Sequence, residues 1–330
     1  MITRHLLAGV ACLAVGVVVA LVLGPVGVSL EVLRDLELLQ LRGSRVALAV
    51  VVGAALSAVG AALQALLRNP LADPFVLGVS GGAAMGASLF LAAGSVVVDV
   101  VAVGTALTIP GALLGALFAS ALLLAFLRLE RHDGSGDSAV LVGVVVNAFS
   151  WAVVAVVRVV LPAGEAAGLS VWLIGALDYP ATSSLLVAAV VTLIGVLLLA
   201  KEGGALSVLR GGDDDAARLG LDVAAIRRRV VLVGSALVGV AVATTGVVGF
   251  IGLLVPHGVR RVFGDDVATD DRAVIVLSAL IGAGVLAALD GVARGVFAVV
   301  GSELPVGAIC ALVGAPALAL MLVREARRAR

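Results

Sequence analysis

The chain has 330 residues, 62% of them hydrophobic and 13% charged, and its 22 basic and 22 acidic side chains cancel to a net charge of zero. With a mean hydropathy of +1.23 it carries more apolar surface than a water-soluble core can cover, so it reads as an all-α polytopic membrane protein. The balanced charge gives no case for a nucleic-acid partner, and 3% aromatics are too few for the girdles of a β-barrel.

Nine charge-free runs follow in chain order: 5–30, 46–67, 74–98, 100–127, 138–157, 179–200, 230–259, 273–289 and 304–323. The first, behind Arg4, has the look of a signal peptide, but many spans follow it and no sharp small-x-small cleavage site stands out, so a retained helix is expected. The second is a run of 22 residues. At about 1.5 Å per residue it covers roughly 33 Å, enough to cross a hydrocarbon core of about 30 Å. Its ends are unlike: Arg42 and Arg45 precede it, and the turn Asn69-Pro70-Leu71-Ala72-Asp73-Pro74 follows. Asparagine and aspartate before proline stop a helix by side-chain hydrogen bonding and by steric exclusion of the α region. Ser80, Gly81 and Gly82 then allow close helix approach or a backbone exposed to a pathway. Gln64 and Asn147 are uncharged polar groups inside spans that either bond neighbouring helices or line a cavity. These five residues are the candidate pathway set. Trp172 and Tyr179, in the loop before the sixth run, read as interfacial anchors.

The segment 201–229 is the largest charged stretch. Within it Asp213 to Asp215 open a short helix containing Ala216 and Ala217, and Gly220 stops it, because acidic residues favour a helix N-terminus and glycine its end. The run 230–259 holds Pro256, which is expected to break it into a crossing over about 230–250 and a short return over about 252–262, with His257 as a packing residue. That gives ten spans and places both termini in the cytoplasm. The positive-inside rule favours this arrangement: 17 of the 22 basic residues fall inside, against 11 for nine spans. Arg34, Arg42, Arg45, Arg158 and Arg294 remain outside. A weak inverted repeat accompanies it, Gly53, Gly60 and Pro70 recurring 186 residues later as Gly239, Gly246 and Pro256. Cys12 and Cys310 lie in apolar stretches and support neither a disulfide framework nor a zinc site; no metal or other cofactor is expected.

The segment from Arg42, GFIGLLVPHGVRR at 249–261, LDGVAR at 289–294 and ELPVGAICALVGAP at 303–316 resemble the permease subunits of ABC importers for iron-siderophores, haem and cobalamin. The likeness runs from about residue 41 to the C-terminus. The family has Arg-x-Pro-Arg where this chain has Arg42-Gly43-Ser44-Arg45, so the turn expected there loses a fixed φ. The resemblance implies one transmembrane permease domain over 1–330 in the cytoplasmic membrane. It implies a dimer of permeases, identical or paralogous, two separate ATPase subunits and an external binding protein loaded with a metal chelate, ferric siderophore being the most numerous case. It further implies that Arg42, Arg45 and Arg294 receive carboxylates of the binding protein, with Asp290 orienting Arg294 by an i,i+4 pair, and that Ala216, Ala217, Arg218, Leu219 and Gly220 form the ATPase coupling loop.

The energy source can be argued from the residues alone. A P-loop needs Gly-Lys-Ser/Thr, and the only lysine here, Lys201, is followed by Glu202. By that route this chain cannot be the ATPase and is expected not to be an enzyme, so either another chain supplies ATP hydrolysis or an ion gradient drives transport. The alternative is a carrier driven by an ion gradient, which needs an acid at mid-membrane. Asp99, Glu165, Asp178, Asp290 and Glu303 are all expected at or beyond the outer boundary. An intramembrane enzyme would need a His/Glu metal set or a Ser/His pair within helices, and neither is present in the sequence.

Overall fold

The computed structural model describes residues 2–24, 27–28, 35–98, 101–129 and 136–328. Arg34, Asp99 and Arg330 lie outside them. Helix α1 (Ile2–Val22) runs into a small antiparallel hairpin, β1 (Leu23–Gly24) with β2 (Gly27–Val28), in the register Leu23 to Val28. Then come α2 (Leu36–Leu66), α3 (Val79–Val98), α4 (Val101–Leu129), α5 (Gly136–Val160), α6 (Ala163–Leu173), α7 (Thr182–Leu209), α8 (Asp213–Arg218) and α9 (Val223–Thr245). The chain closes with α10 (Ile251–Phe263), α11 (Asp265–Ala268), α12 (Asp271–Gly295), α13 (Phe297–Val300) and α14 (Val306–Arg328). Among the described residues six helices are long and apolar enough to cross a membrane, and α3 and α14 hold shorter apolar stretches. The protein is an all-helical, multi-pass membrane protein.

Helix α2 is the centre of the bundle. The Asp35 carboxylate caps it, accepting from the backbone N–H of Glu37 at 3.0 Å and of Leu38 at 3.2 Å. The helix therefore begins ten residues before the charge-free run. Arg42 to Arg45 lie on it rather than in a turn, and Ser44 donates its hydroxyl to Leu41 O at 2.8 Å. The expected loss of a fixed turn has no turn to act on. Beyond Arg45 almost every α2 side chain is buried, enclosed by α7, α9, α10 and α12. Small residues make this possible. A Cβ on Gly53 would fall 2.3 Å from the Gly282 carbonyl of α12, and one on Gly60 would fall 1.8 Å from the Gly252 carbonyl of α10. The same device joins α3 to α4, whose Gly82-x-x-x-Gly86 and Gly111-x-x-x-Gly115 pairs face each other. Helix α1 lies along α12, with Gly16 against Gly284, so the first apolar run is part of the bundle.

The 230–259 run is broken, but not by Pro256. The break is the non-helical segment 246–250, where Gly246 and Phe250 both have positive φ, +69° and +68°. Pro256 sits inside α10, where its missing N–H leaves the Gly252 carbonyl without a helical donor. That carbonyl is the one Gly60 admits. Pro70, by contrast, lies in a turn outside any helix. Gly239 and Gly246 meet α4 and Trp172 rather than α12 and α10, so the repeated triplets make different contacts. The loop expected before the sixth run is partly helix α6, and the charged segment expected from residue 201 starts on α7, which continues to Leu209.

Candidate functional site

Helix α12 runs antiparallel to α2 and has a fully buried carboxylate near each end, Asp290 and Asp271, both at 0% exposure. Each organises a set of arginines, and these two ends are where function can reside.

At the first end, Arg45 from α2 holds Asp290 through Nε at 3.1 Å and Nη2 at 3.0 Å, and reaches Glu303 with Nη1 at 2.9 Å. Arg294, one helical turn after Asp290, brings Nε to 3.1 Å from its other oxygen without hydrogen-bond alignment, and donates Nη2 to Ala20 O at 2.6 Å. Arg42 donates to Leu21 O at 3.0 Å. The expected i,i+4 pairing of Asp290 and Arg294 is present, and the three arginines do converge. Their exposure differs from a simple docking surface. Arg45 is 4% exposed and Arg294 1%, because α1, α12 and the segment before α14 close over them, while Arg42 stays half-buried. The guanidinium of Arg45 also lies 5.7 Å from the centre of the Tyr179 ring. Tyr179 is half exposed and Trp172 sits on α6, packed against the core. Asp290, expected at or beyond the outer boundary, is fully buried within the protein. Sequence reasoning did not foresee Glu303 as its neighbour's second partner.

At the opposite end, Asp271 accepts from Arg260 Nη1 at 2.8 Å and lies 3.7 Å from Arg210. Its backbone N–H donates to Ser207 Oγ at 2.9 Å. Arg210 and Arg260 both also donate to Ala268 O. Close by, α8 begins at Asp213, whose carboxylate takes Arg68 at 3.2 Å and Arg227 at 2.6 Å. The helix ends where expected: Gly220 at φ +84° and Leu221 donate back to Ala217 O and Ala216 O, the paired bonds of a glycine stop. Ala216 is buried and anchors α8, whereas Ala217, Arg218, Leu219 and Gly220 are exposed, Leu219 at 72%. A tethered helix thus projects an apolar side chain and an arginine from the basic end.

The candidate pathway residues are packing residues within this single chain. Gln64 donates Nε2 to Leu253 O at 3.1 Å, tying α2 to α10. A Cβ on Gly81 would strike Asn147 Oδ1, so α3 and α5 touch there, and that oxygen is buried without a hydrogen-bond partner. Gly82 faces α4, and Ser80 is buried. In the turn after α2, the Asp73 carboxylate accepts from Phe75 N at 2.7 Å and stands beside Gly252. Burial pushes its pKa up to about 6 against the opposing pull of backbone hydrogen bonds from Phe75 and Val76.

Residues 5–324 match the model of the FecCD transport family. The chain is 36% identical over 289 residues, 87% of it and 83% of the relative, to the hemin transport system permease protein of Yersinia pestis. It is 38% identical over 288 residues, 87% of it and 73% of the relative, to the cobalamin import system permease protein of Halobacterium salinarum. Its fold superposes with a TM-score of 0.83 and 26% identity, over 98% of this chain and 99% of the other, on a structure assigned to an inward-facing metal-chelate type ABC transporter. The chain therefore belongs to the FecCD transport family of membrane-spanning transport permeases.

Proposed function

We propose that this chain forms half of the translocation path of an ABC importer for a metal chelate, a ferric siderophore, haem or cobalamin. A second permease subunit, two cytoplasmic ATPase subunits and an external binding protein complete the assembly. Ten spans, α1 to α5, α7, α9, α10, α12 and α14, put both termini in the cytoplasm. Basic residues from Lys201 to Arg229, with Arg68, Arg260, Arg261 and Arg272, crowd the end that carries α8, which the positive-inside rule makes the cytoplasmic one. The observation that carries the reading is α8: a helix held by Asp213 and Ala216 that offers Ala217, Arg218 and Leu219 to a partner. The buried carboxylates of α12 favour it over a gradient-driven carrier, since both are ion-paired with arginines rather than standing as unpaired acids at mid-membrane.

Docking of the binding protein is proposed at the opposite end, with Arg42 as first contact. Arg45 is already engaged, so a partner carboxylate reaches it by replacing Glu303, whose side chain is 39% exposed. In the dimer, Gln64, Ser80, Gly81, Gly82 and Asn147 stand next to the path as the packing that shapes it. The test is to co-purify the chain with its ATPase subunit and screen chelates against the cognate binding protein. A stable complex and one chelate class retained are expected. Failure of the chain to hold any ATPase subunit would contradict the assembly.

A further inference from the structure

A cavity of about 350 Å³ lies among α3, α4, α6, α7 and α9, at the end of the bundle that carries Arg45. Leu91, Ile109, Leu169, Trp172 and Ala243 give it apolar walls, and among the described residues lining it Asp178 alone is charged. Helices α4 and α7 both pack on α9 without packing closely on each other. The cavity is therefore a cleft between them, with Ala243 and Thr244 of α9 as its floor and α6 across it. Beyond the cleft both flanking helices expose apolar side chains, Leu114 and Phe118 on α4 and Leu186 and Val190 on α7. In a membrane-spanning chain such faces meet acyl chains, so the cleft opens sideways into the bilayer. Trp172 and Asp178, an amphipathic ring and a charge, set its rim at the headgroup level.

Charge and polarity select what enters. One Asp178 oxygen accepts from the backbone N–H of Tyr179 at 2.8 Å, and no cation among the described residues pairs with this carboxylate. Arg45 reaches the neighbouring Tyr179 ring but gives its hydrogen bonds to Asp290 and Glu303. Glu165, one turn before Leu169 on the same face of α6, also has a buried oxygen without a hydrogen-bond donor. The cleft is thus apolar within and acidic at its rim. An anionic headgroup would meet a like charge there and no basic lining residue. A metal ion lacks ligands, since the described residues hold no group of three or more His, Cys, Asp or Glu that could bind one. Water or a small hydrated cation would leave the apolar walls wet. An amphiphile with a hydrocarbon chain and one ammonium satisfies both parts. A primary ammonium fits better than a quaternary one, because it can donate hydrogen bonds to the carboxylate.

We propose that this cleft binds a bilayer lipid with a primary-ammonium headgroup, such as phosphatidylethanolamine. Part of one acyl chain lies against Leu169, Trp172 and Ala243, and the ammonium sits on Asp178 while the phosphate faces water. The site requires a membrane-spanning chain and not the importer reading. Its floor is the last turn of α9 before the break at 246–250, and the Trp172 carbonyl in its wall lies against Gly246. A bound lipid therefore packs beside the point where the chain turns back into α10.

The chain has two tryptophans, so Trp151→Phe leaves Trp172 as the sole indole reporter. The full chain with that change is placed in phosphatidylcholine nanodiscs containing increasing fractions of acyl-brominated phosphatidylethanolamine, phosphatidylglycerol or phosphatidylcholine, bromine quenching the indole on contact. Half-quenching is expected at a fraction about three- to fivefold lower for phosphatidylethanolamine than for the other two, the discrimination an exposed ion pair gives. Asp178→Asn should remove that preference, Asp178→Glu should keep it, and Ala243→Phe, which fills the floor, should lower quenching by all three lipids. If Asp178→Asn does not fold, the three lipids compared on the Trp151→Phe chain carry the test. Equal quenching by all three would make the cleft a crevice without headgroup recognition and overturn the proposal. A preference for phosphatidylglycerol, a preference that survives Asp178→Asn, or quenching untouched by Ala243→Phe would overturn it equally. No ATPase subunit enters the assay, so its failure leaves the importer reading standing.

Discussion

Replacing Asp290 by Asn tests the electrostatics of the first end most sharply. Asp290 is fully buried, and the two arginines it compensates are 4% and 1% exposed. Asparagine keeps the shape and one acceptor oxygen but removes the charge, so Arg45 is left with Glu303 as its carboxylate and Arg294 with neutral acceptors, the Ala20 carbonyl among them. Stripping one partner from a buried pair costs about 3–5 kcal/mol, because the remaining charge stays desolvated. With two arginines on one carboxylate we expect the upper part of that range. Glu303→Gln removes a carboxylate that is 39% exposed, and an exposed pair is worth about 1 kcal/mol or less. The assay is thermal unfolding of the detergent-solubilised chain followed by loss of the monodisperse peak. Asp290→Asn should lower the midpoint by roughly 6 °C or more and Glu303→Gln by roughly 2 °C or less. Adding Arg294→Met to Asp290→Asn should recover part of the loss, since removing both partners of a buried pair is far less costly than removing one. Equal midpoints for the two single variants would refute the view that Asp290 holds this end together.

Charge reversal at Arg42, the half-buried member of the triad, should weaken binding-protein docking by about tenfold with normal assembly, measured by surface binding; unchanged affinity would remove Arg42 from the docking site. Gly115→Ala places a methyl group 2.0 Å from the Gly82 carbonyl and should cost about 1–3 kcal/mol by overpacking, read as a lower unfolding midpoint. A parental midpoint would mean that α3 and α4 do not meet there. Asp73 gives a pH dependence of defined sign. Its folded pKa of about 6 lies above the ordinary value of 3.8, so the native state holds the proton more tightly than the unfolded chain. The group's stabilisation is complete below pH 3.8 and is lost as pH rises to about 6. Asp73→Asn, which can still accept from Phe75 N, should flatten that slope and gain up to about 3 kcal/mol at pH 8; an unchanged slope between the two proteins would refute the assignment.

The spans were legible because hydropathy, the stop at Asn69-Pro70 and the glycine stop at Gly220 act locally. The short return helix was placed within a residue at either end, although its cause was misread. Proline is the visible breaker, but the chain turns where Gly246 and Phe250 adopt positive φ, and nothing in the side chain of a phenylalanine announces that. Charge patterning singled out Arg42, Arg45 and Arg294, which the structure brings to one end, and the Asp290 to Arg294 pair, which is a spacing rule within one helix. It could not see that Arg45, from a helix more than two hundred residues away, spends its fork on the same carboxylate, nor that α1 and the segment before α14 seal the site. Likewise the arginines of the α8 end read as topology signals. Only the packing of α2, α7 and α10 gathers them around one cavity.

On the importer reading, this chain moves its substrate only when a separate ATPase drives it. The direct measurement is uptake of a candidate metal chelate into proteoliposomes containing the chain, its ATPase subunit and the loaded binding protein. Uptake should require ATP and the ATPase subunit, and should be lost when α8 carries Ala217→Trp. Uptake driven by a proton or sodium gradient, by the chain alone and without ATP, would contradict it.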